Sequence, residues 1–263
     1  MAWRGLTKQP WEAIRRPLPQ PKASPRGGRP RVEDRRGFEG ILWMRWTGAP
    51  WRERPRRYGS PSTCWRRLQP WEETGVLLQL GRTFLAQRND QEKMRWDECC
   101  ADGRFIPANK GDPRSARPRA GRGPRGWWWS MARGPPLGAD LEAAAPAAVT
   151  RLETTLDTVA VGRPGKPGRP RQRPARLLAD RGDDRNPLRA RLAQRGIEPI
   201  IPARRNHKHA THQDGRKLRR DRRRWIIERT FAWLGAFRRL VVRYERLITA
   251  YAGFFHMACA LLT

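Results

Sequence analysis

Residues 219–246 read RRDRRRWIIERTFAWLGAFRRLVVRYER. Ile227, Phe231, Leu234 and Val241 recur at helical spacing, with no proline and only Gly235 inside, so the stretch predicts one long amphipathic helix. At 100° per residue these four apolar side chains fall within roughly 40° of one line. Asp221, Arg224 and Glu228 fall together on the border of that stripe. A carboxylate there sits at the edge of a core among arginines. The plain alternative to a functional role is an (i, i+4) ion pair between Arg224 and Glu228.

The whole chain is strongly basic. It has 263 residues, with 56 Lys plus Arg against 25 Asp plus Glu, a net charge of +31. Such an excess goes far beyond what solubility needs and points to a polyanionic partner, nucleic acid above all. A membrane partner is not expected. The N-terminus lacks an apolar signal core, and the apolar stretch 247–262 is shorter than the roughly 20 residues a spanning helix needs. Cys64, Cys99, Cys100 and Cys259 form no repeated C-x-x-C, which fits neither a disulfide framework nor a zinc knuckle. His207, His209 and His212 read as solvated loop residues. A cytoplasmic, nucleoid-associated protein is expected.

The run Trp225-Ile-Ile-Glu-Arg-Thr-Phe-Ala-Trp-Leu234, followed by Phe-Arg-Arg-Leu and Arg-Tyr-Glu-Arg, resembles the C-terminal signature of bacterial insertion-sequence transposases. The similar group is insertion sequence family five, with the related family four. Their pattern Tyr-x2-Arg-x3-Glu-x6-Lys is met at Arg224 and Glu228, while Asp221 stands for the tyrosine and Gly235 for the lysine. The resemblance implies an RNase H-like mixed α/β catalytic domain with a triad of two aspartates and a glutamate, preceded by an all-α helix-turn-helix-like domain. Glu228 becomes the third carboxylate. The expected division is 1–93 for DNA binding and 94–263 for catalysis.

In the N-terminal part, helices are expected over 6–17 and 32–46, the second stopped by Thr47-Gly48-Ala49-Pro50. Residues 17–30 form a basic Pro/Gly linker. Ser60 and Pro61 mark the next helix as N-cap and first-turn residue, with Cys64, Leu68 and Trp71 inside and Arg66 and Arg67 outside, available to DNA. Pro70 predicts a kink or an early end. A helix, a short turn and an arginine-bearing helix resemble a helix-turn-helix; a helical bundle with one basic face fits equally. The segments GGRP, EGILW, TGAPWR and WEE-x-G are similar to the same family.

Residues 99–108 read as a short buried strand with Asp102 at its centre, and an acid there is costly unless paired or metal-bound. The family's Asp-Gly on its first strand matches Asp102-Gly103. Arg176–Asp180 reads as another strand ending in an acid, and the family's Asp-x-Gly/Ala-Tyr-Asp matches Asp180, Gly182 and Asp184, with Asp183 in place of the tyrosine. Leu137–Ala145 suits a strand, Pro146 opens a helix, Asn186-Pro187 another, and Ile197–Pro202 a last strand. Arg204, Arg205, Lys208 and Arg224 suit phosphates.

Residues 112–136, rich in Pro, Arg and Gly around Trp127-Trp128-Trp129, do not read as a buried strand and are expected to be disordered or frameshifted. Three Trp codons, a TCN serine, Met and Ala, read one base out of phase, give Val-Val-Val, then Tyr, His, Asn or Asp, then Gly. Valines before such a turn suit a strand.

By resemblance, Asp102, Asp180 and Glu228 would hold two Mg²⁺ or Mn²⁺ ions for in-line attack at phosphorus. The partners would be double-stranded DNA, as element terminal inverted repeats and as target, with a homodimer on the DNA. No phosphate-cradling G-x-x-x-x-G-K-[ST] loop occurs, which argues against ATP-driven chemistry. The alternative is an inactive transposase remnant that acts only as a basic DNA-binding protein.

Overall fold

A computed structural model describes residues 5–19, 31–109, 123–131, 135–143, 148–163, 167–204, 215 and 219–263. Helices α1 (Lys8–Arg15), α2 (Asp34–Thr47), α3 (Pro61–Glu73) and α4 (Val76–Asp90) come first. Gly48 ends α2 with φ of 71°, and a Cβ there would lie 2.9 Å from that of Arg238, so both conformation and space call for glycine. Ser60 caps α3 by accepting the Thr63 N–H at 3.0 Å. The helix ends at Glu73, soon after Pro70, and Thr74 and Gly75 close it.

Strands β1 (Cys99–Phe105), β2 (Pro124–Met131), β3 (Pro136–Ala143), β4 (Arg176–Leu178) and β5 (Glu198–Ile200) form one sheet in the order β3-β2-β1-β4-β5. β1, β2 and β3 pair antiparallel, whereas β4 and β5 run parallel to β1. Between them lie α5 (Ala148–Thr158) and α6 (Asn186–Gln194). Side-chain alternation sorts the two faces. Cys99, Ala101, Trp129 and Leu177 pack with Leu152, Leu156, Leu188 and Leu192 of α5 and α6. Cys100, Trp128, Leu178 and Ile200 pack on the opposite face with helices from both ends of the chain.

The expectation for 112–136 is corrected over 124–131, which is β2 in continuous register with β1, Asp102 facing Trp128. Room for the indoles comes from missing side chains. A Cβ on Gly103 would meet the Trp127 ring at 2.6 Å, and one on Gly126 would meet Trp128 at 2.3 Å. Trp129 is buried and donates from Nε1 to the Leu152 carbonyl at 3.2 Å. Pro124 stands at the first residue of the strand, where a missing donor costs least.

The single long helix expected over 219–246 is also corrected. Arg219–Arg224 is a 3-10 turn, α7 runs Trp225–Gly235, and α8 is only Arg238–Val241. Phe237 leaves the helix to be buried against Trp46, 5.9 Å between rings, and under the Arg45 guanidinium at 3.8 Å. Val241, expected in the stripe, is 41% exposed. The last helix, α9 (Ile248–Leu262), shares one apolar cluster with α2, α3 and α4: Phe254 and Met257 lie in it with Phe38, Leu68 and Leu77. Among the described residues, the N-terminal helices therefore share their core with the C-terminus.

The signature residues after α7 lock this arrangement. Glu245 is buried and bonds Arg239 at 2.7 Å, and Arg239 donates to the carbonyls of Gly48 and Ala49 at 3.1 and 3.0 Å. The RYER segment thus ties the C-terminal part to the end of α2.

Candidate active site

Asp102 has the same parity on β1 as Cys100, so it leaves the sheet on the face that α7 covers. Asp180 lies just past β4, with the parity of Leu178, and emerges on the same side. The edge of a sheet beyond parallel strand ends is where open α/β folds place their ligands. Both aspartates meet one cation. Arg224 Nη1 lies 2.8 Å from Asp180 Oδ1, and its Nη2 lies 3.7 Å from Asp102 Oδ2. Asp221 stands 4.0 Å from the same guanidinium. The anticipated Arg224–Glu228 pair gives way to these contacts.

What fixes Arg224 is a carboxylate that nothing in its local sequence singles out. Glu98, immediately before β1 and fully buried, accepts from Arg220 at 3.2 Å and Arg223 at 3.3 Å. The 3-10 turn is thereby pinned to the start of β1, which places Arg224 over the aspartates. The arginine-rich run before Trp225 is the one hint in the sequence of such a partner.

Burial pushes the Asp102 carboxyl above its ordinary range, against the opposing pull of the Gly103 N–H and Arg224. Asp183 is pushed up to about 6, first by burial and then by the charges of Asp102 and Asp180. Asp221 is raised as well, again mainly by burial. Asp183 therefore belongs to the same cluster of negative charge, although in sequence it stands out only as a departure from the tyrosine of the resembled pattern.

Glu228 lies on α7 one helical turn beyond Arg224 and is exposed. It does not join the aspartates: among the described residues no three His, Cys, Asp or Glu side chains are grouped to hold a metal ion. The donor chemistry still suits a hard divalent cation, since carboxylate oxygens are what Mg²⁺ and Mn²⁺ prefer. Arg224 fills the cationic position between Asp102 and Asp180.

The candidate DNA contacts divide. Arg66 is exposed on α3. Arg67 is corrected: it is 7% exposed, donates to the carbonyls of Val32 and Glu33, and lies 3.4 Å from Asp34. Its role is to hold the chain entering α2. The short turn is corrected too, since Gly48–Ser60 contains two 3-10 turns rather than the tight connection of a helix-turn-helix. Arg204 is partly spent on structure, its backbone N–H bonding Asp184 at 2.8 Å and its guanidinium the Arg181 and Gly182 carbonyls. Arg205, Lys208 and the three loop histidines lie outside the described residues.

A mixed sheet in the order β3-β2-β1-β4-β5, with aspartates on β1 and just beyond β4 facing one helix, defines an RNase H-like fold. The chain belongs to the DDE transposases of the insertion-sequence four and five group. Residues 130–263 match the family described as "Transposase DDE domain", and residues 6–80 match "Putative transposase of IS4/5 family". Among relatives, it is 40% identical over 131 residues to "Putative transposase for insertion sequence element IS402" of Burkholderia cepacia, covering 50% of this chain and 58% of that one. It is 32% identical over 123 residues to "Uncharacterized protein y4sN" of Sinorhizobium fredii, 47% of this chain and 92% of that one. The chain thus spans little more than half the length of the first relative. The solved Mos1 strand transfer complex aligns with 92% of this chain and 78% of its own at 13% identity and a TM-score of 0.29, too loose a likeness to carry a conclusion. No helix among the described residues is long and apolar enough to cross a membrane.

Proposed function

We propose that this chain cuts DNA at the ends of an insertion element and joins those ends to target DNA. The observation that carries the reading is the meeting of Asp102 and Asp180, distant in sequence, on one face of the sheet and around one cation. Bound Mg²⁺ or Mn²⁺ would activate a water or a 3′-hydroxyl and stabilise the leaving oxygen at phosphorus. Asp102 and Asp180 would hold it, with Glu228 supplying the third carboxylate once α7 is brought against DNA. Arg224, released from the aspartates, would turn to the phosphate backbone. The helical segment 1–93 would grip duplex DNA, with Arg66 outward, and 94–263 would carry the chemistry. The substrates would be terminal inverted repeats and target duplex, paired by a homodimer.

Supercoiled plasmid incubated with the protein and Mn²⁺ or Mg²⁺ tests this. Nicking is expected, and Glu228→Gln and Asp180→Asn should abolish it while DNA binding persists. Unchanged nicking by Glu228→Gln would remove Glu228 from the triad.

A second reading, an inactive DNA-binding remnant, is favoured by two observations. Residues 81–129, which hold Asp102 and most of β2, fall between the two family matches. In β2, Ser130 Oγ and Arg125 Nε are buried without hydrogen-bond partners, a cost apolar side chains would not carry. Restoring the alternative frame across 112–136 should raise both the thermal midpoint and metal-dependent nicking. Equal nicking by the chain as it stands would remove the frameshift account.

A further inference from the structure

A basic segment leads into β4, at the end of that strand away from Asp180. Between Asp157 and Asp180 the sequence holds six Lys or Arg and no acid. Arg163 and every residue from Pro167 to Arg173 are exposed. The carboxylates that flank the segment are already engaged, Asp157 with Arg195 at 2.7 Å, Glu198 with Arg176 at 3.1 Å and Asp97 with Arg95 at 3.7 Å. Among the described residues, Arg163, Arg169 and Arg173 have no acidic partner.

The segment is nonetheless anchored. Val161 and Arg171 exchange both backbone hydrogen bonds, at 3.0 and 2.7 Å. The Arg171 guanidinium carbon lies 4.5 Å from the ring centroid of Trp96, which is buried and donates from Nε1 to Asn89 at 2.9 Å. That guanidinium is held below its ordinary value, first by partial burial and then by the charge of Arg163. Like charges kept together with no carboxylate beside them call for an anion from outside.

Shape says which anion. Pro167 and Pro170 lack a ladder donor and the Val161–Arg171 pair is an isolated bridge, so no two-stranded ribbon forms to enter a major groove. A proline after Arg169 and another after Arg173 keep both arginines extended. Gly168, at a φ of 123°, has no atom within 4 Å of where a Cβ would stand, so the chain is slender there. A slender, extended chain carrying arginines suits the minor groove, about 6 Å wide. Narrow A·T tracts have the more negative potential there. Their floor offers only acceptors, whereas guanine adds an amino donor that opposes a guanidinium.

We propose that Arg163 and residues 167–173 bind the minor groove of A·T-rich duplex DNA. At about 3.3 Å per residue, Arg173 stands roughly 20 Å from Asp180. The groove it enters therefore lies about six base pairs from a phosphate held at the carboxylates. This is a second hold on the duplex, on sequence that flanks the cut, and it rests on the transposase reading only for the presence of DNA at the carboxylates.

The test uses the full chain without metal and three blunt duplexes of equal length, rich in A·T, G·C or inosine·C pairs. Inosine lacks the minor-groove amino group of guanine and keeps its major-groove edge. The A·T and inosine duplexes should bind more tightly than the G·C duplex, by on the order of 10-fold. Arg169→Gln/Arg173→Gln should lose that preference and lower the salt slope by about 0.9 per arginine. Arg169→Lys/Arg173→Lys should keep the slope and lose most of the preference, because an ammonium is more strongly hydrated than a guanidinium. Equal affinity for the three duplexes overturns the inference. So does an inosine duplex bound like the G·C one, which would assign the preference to the major groove, and so does survival of the preference in the glutamine variant. Tighter binding of an RNA duplex through the same arginines would assign the segment to RNA and overturn it as well. Nicking with metal is scored separately: the preference without nicking refutes the catalytic reading alone, and nicking without the preference refutes this inference alone.

Discussion

Replacing Arg224 by glutamine should make the protein bind Mn²⁺ more tightly. The guanidinium lies 2.8 Å from Asp180 and 3.7 Å from Asp102, so a divalent ion entering between these carboxylates meets a positive charge in its place. Two unit charges 4 Å apart interact by about 1 kcal/mol in water and by about 4 kcal/mol near a protein surface. Doubling the lower figure for a divalent ion gives about 2 kcal/mol of repulsion. The lower figure is a floor, since Asp180 is 50% exposed but the Arg224 side chain only 24%. Loss of the guanidinium also leaves the aspartates repelling each other, which pushes affinity in the same direction. With about 1.4 kcal/mol for each factor of ten, the gain should be about 10-fold or more. Titration of free Mn²⁺ by electron paramagnetic resonance, at neutral pH and fixed ionic strength, measures it. Arg222→Gln, an exposed arginine two residues earlier, controls for general charge. Affinity that is unchanged or weaker in Arg224→Gln, or raised equally in Arg222→Gln, would refute the view that Arg224 holds the cation position.

Other consequences follow from the same geometry. Asp183, pushed up to about 6 by burial and by its acidic neighbours, ionises earlier unfolded, near 3.8, than folded. The stability it contributes is therefore complete below that value and lost as pH rises through about 6. Asp183→Asn should leave stability at pH 4 nearly unchanged and raise it near pH 7 by about 3 kcal/mol, read from urea unfolding at the two pH values; an equal shift at both would refute the assignment. Glu245→Ala strands Arg239 in a pair whose side chains are only 6% and 8% exposed, and should cost about 3–5 kcal/mol, visible as a fall in the thermal midpoint. Arg67→Ala should destabilise the fold through Val32, Glu33 and Asp34, whereas Arg66→Ala should leave stability unchanged and lower the steepness of DNA affinity against salt by about 0.9. Unfolding curves and binding at several salt concentrations separate the two.

Much of this fold is legible in the amino-acid sequence alone. Proline at the start and glycine after the end of α3 and α6 mark those helices, because capping is a local matter settled by a few neighbouring residues. The acid in a short apolar run on β1 and the acid after β4 stand out because an unpaired buried carboxylate is costly anywhere, and both aspartates come to one face. The +31 charge points to a polyanion, since long-range electrostatics sums over the chain whatever its fold. Tertiary structure decides what depends on distant partners. Helical periodicity runs unbroken through Phe237, yet burial against Trp46 and Arg45, nearly two hundred positions earlier, ends the helix there. Arg66 and Arg67 read alike, and only the packing of α2 on α3 sends one to solvent and the other inward. The tryptophans of β2 contradict local propensity, but Gly103 on the paired strand and Gly126 beside them open the space their rings fill. Glu98 carries no signal by itself, because a carboxylate acquires its meaning from the arginines that a fold brings to it, here from more than one hundred and twenty positions away.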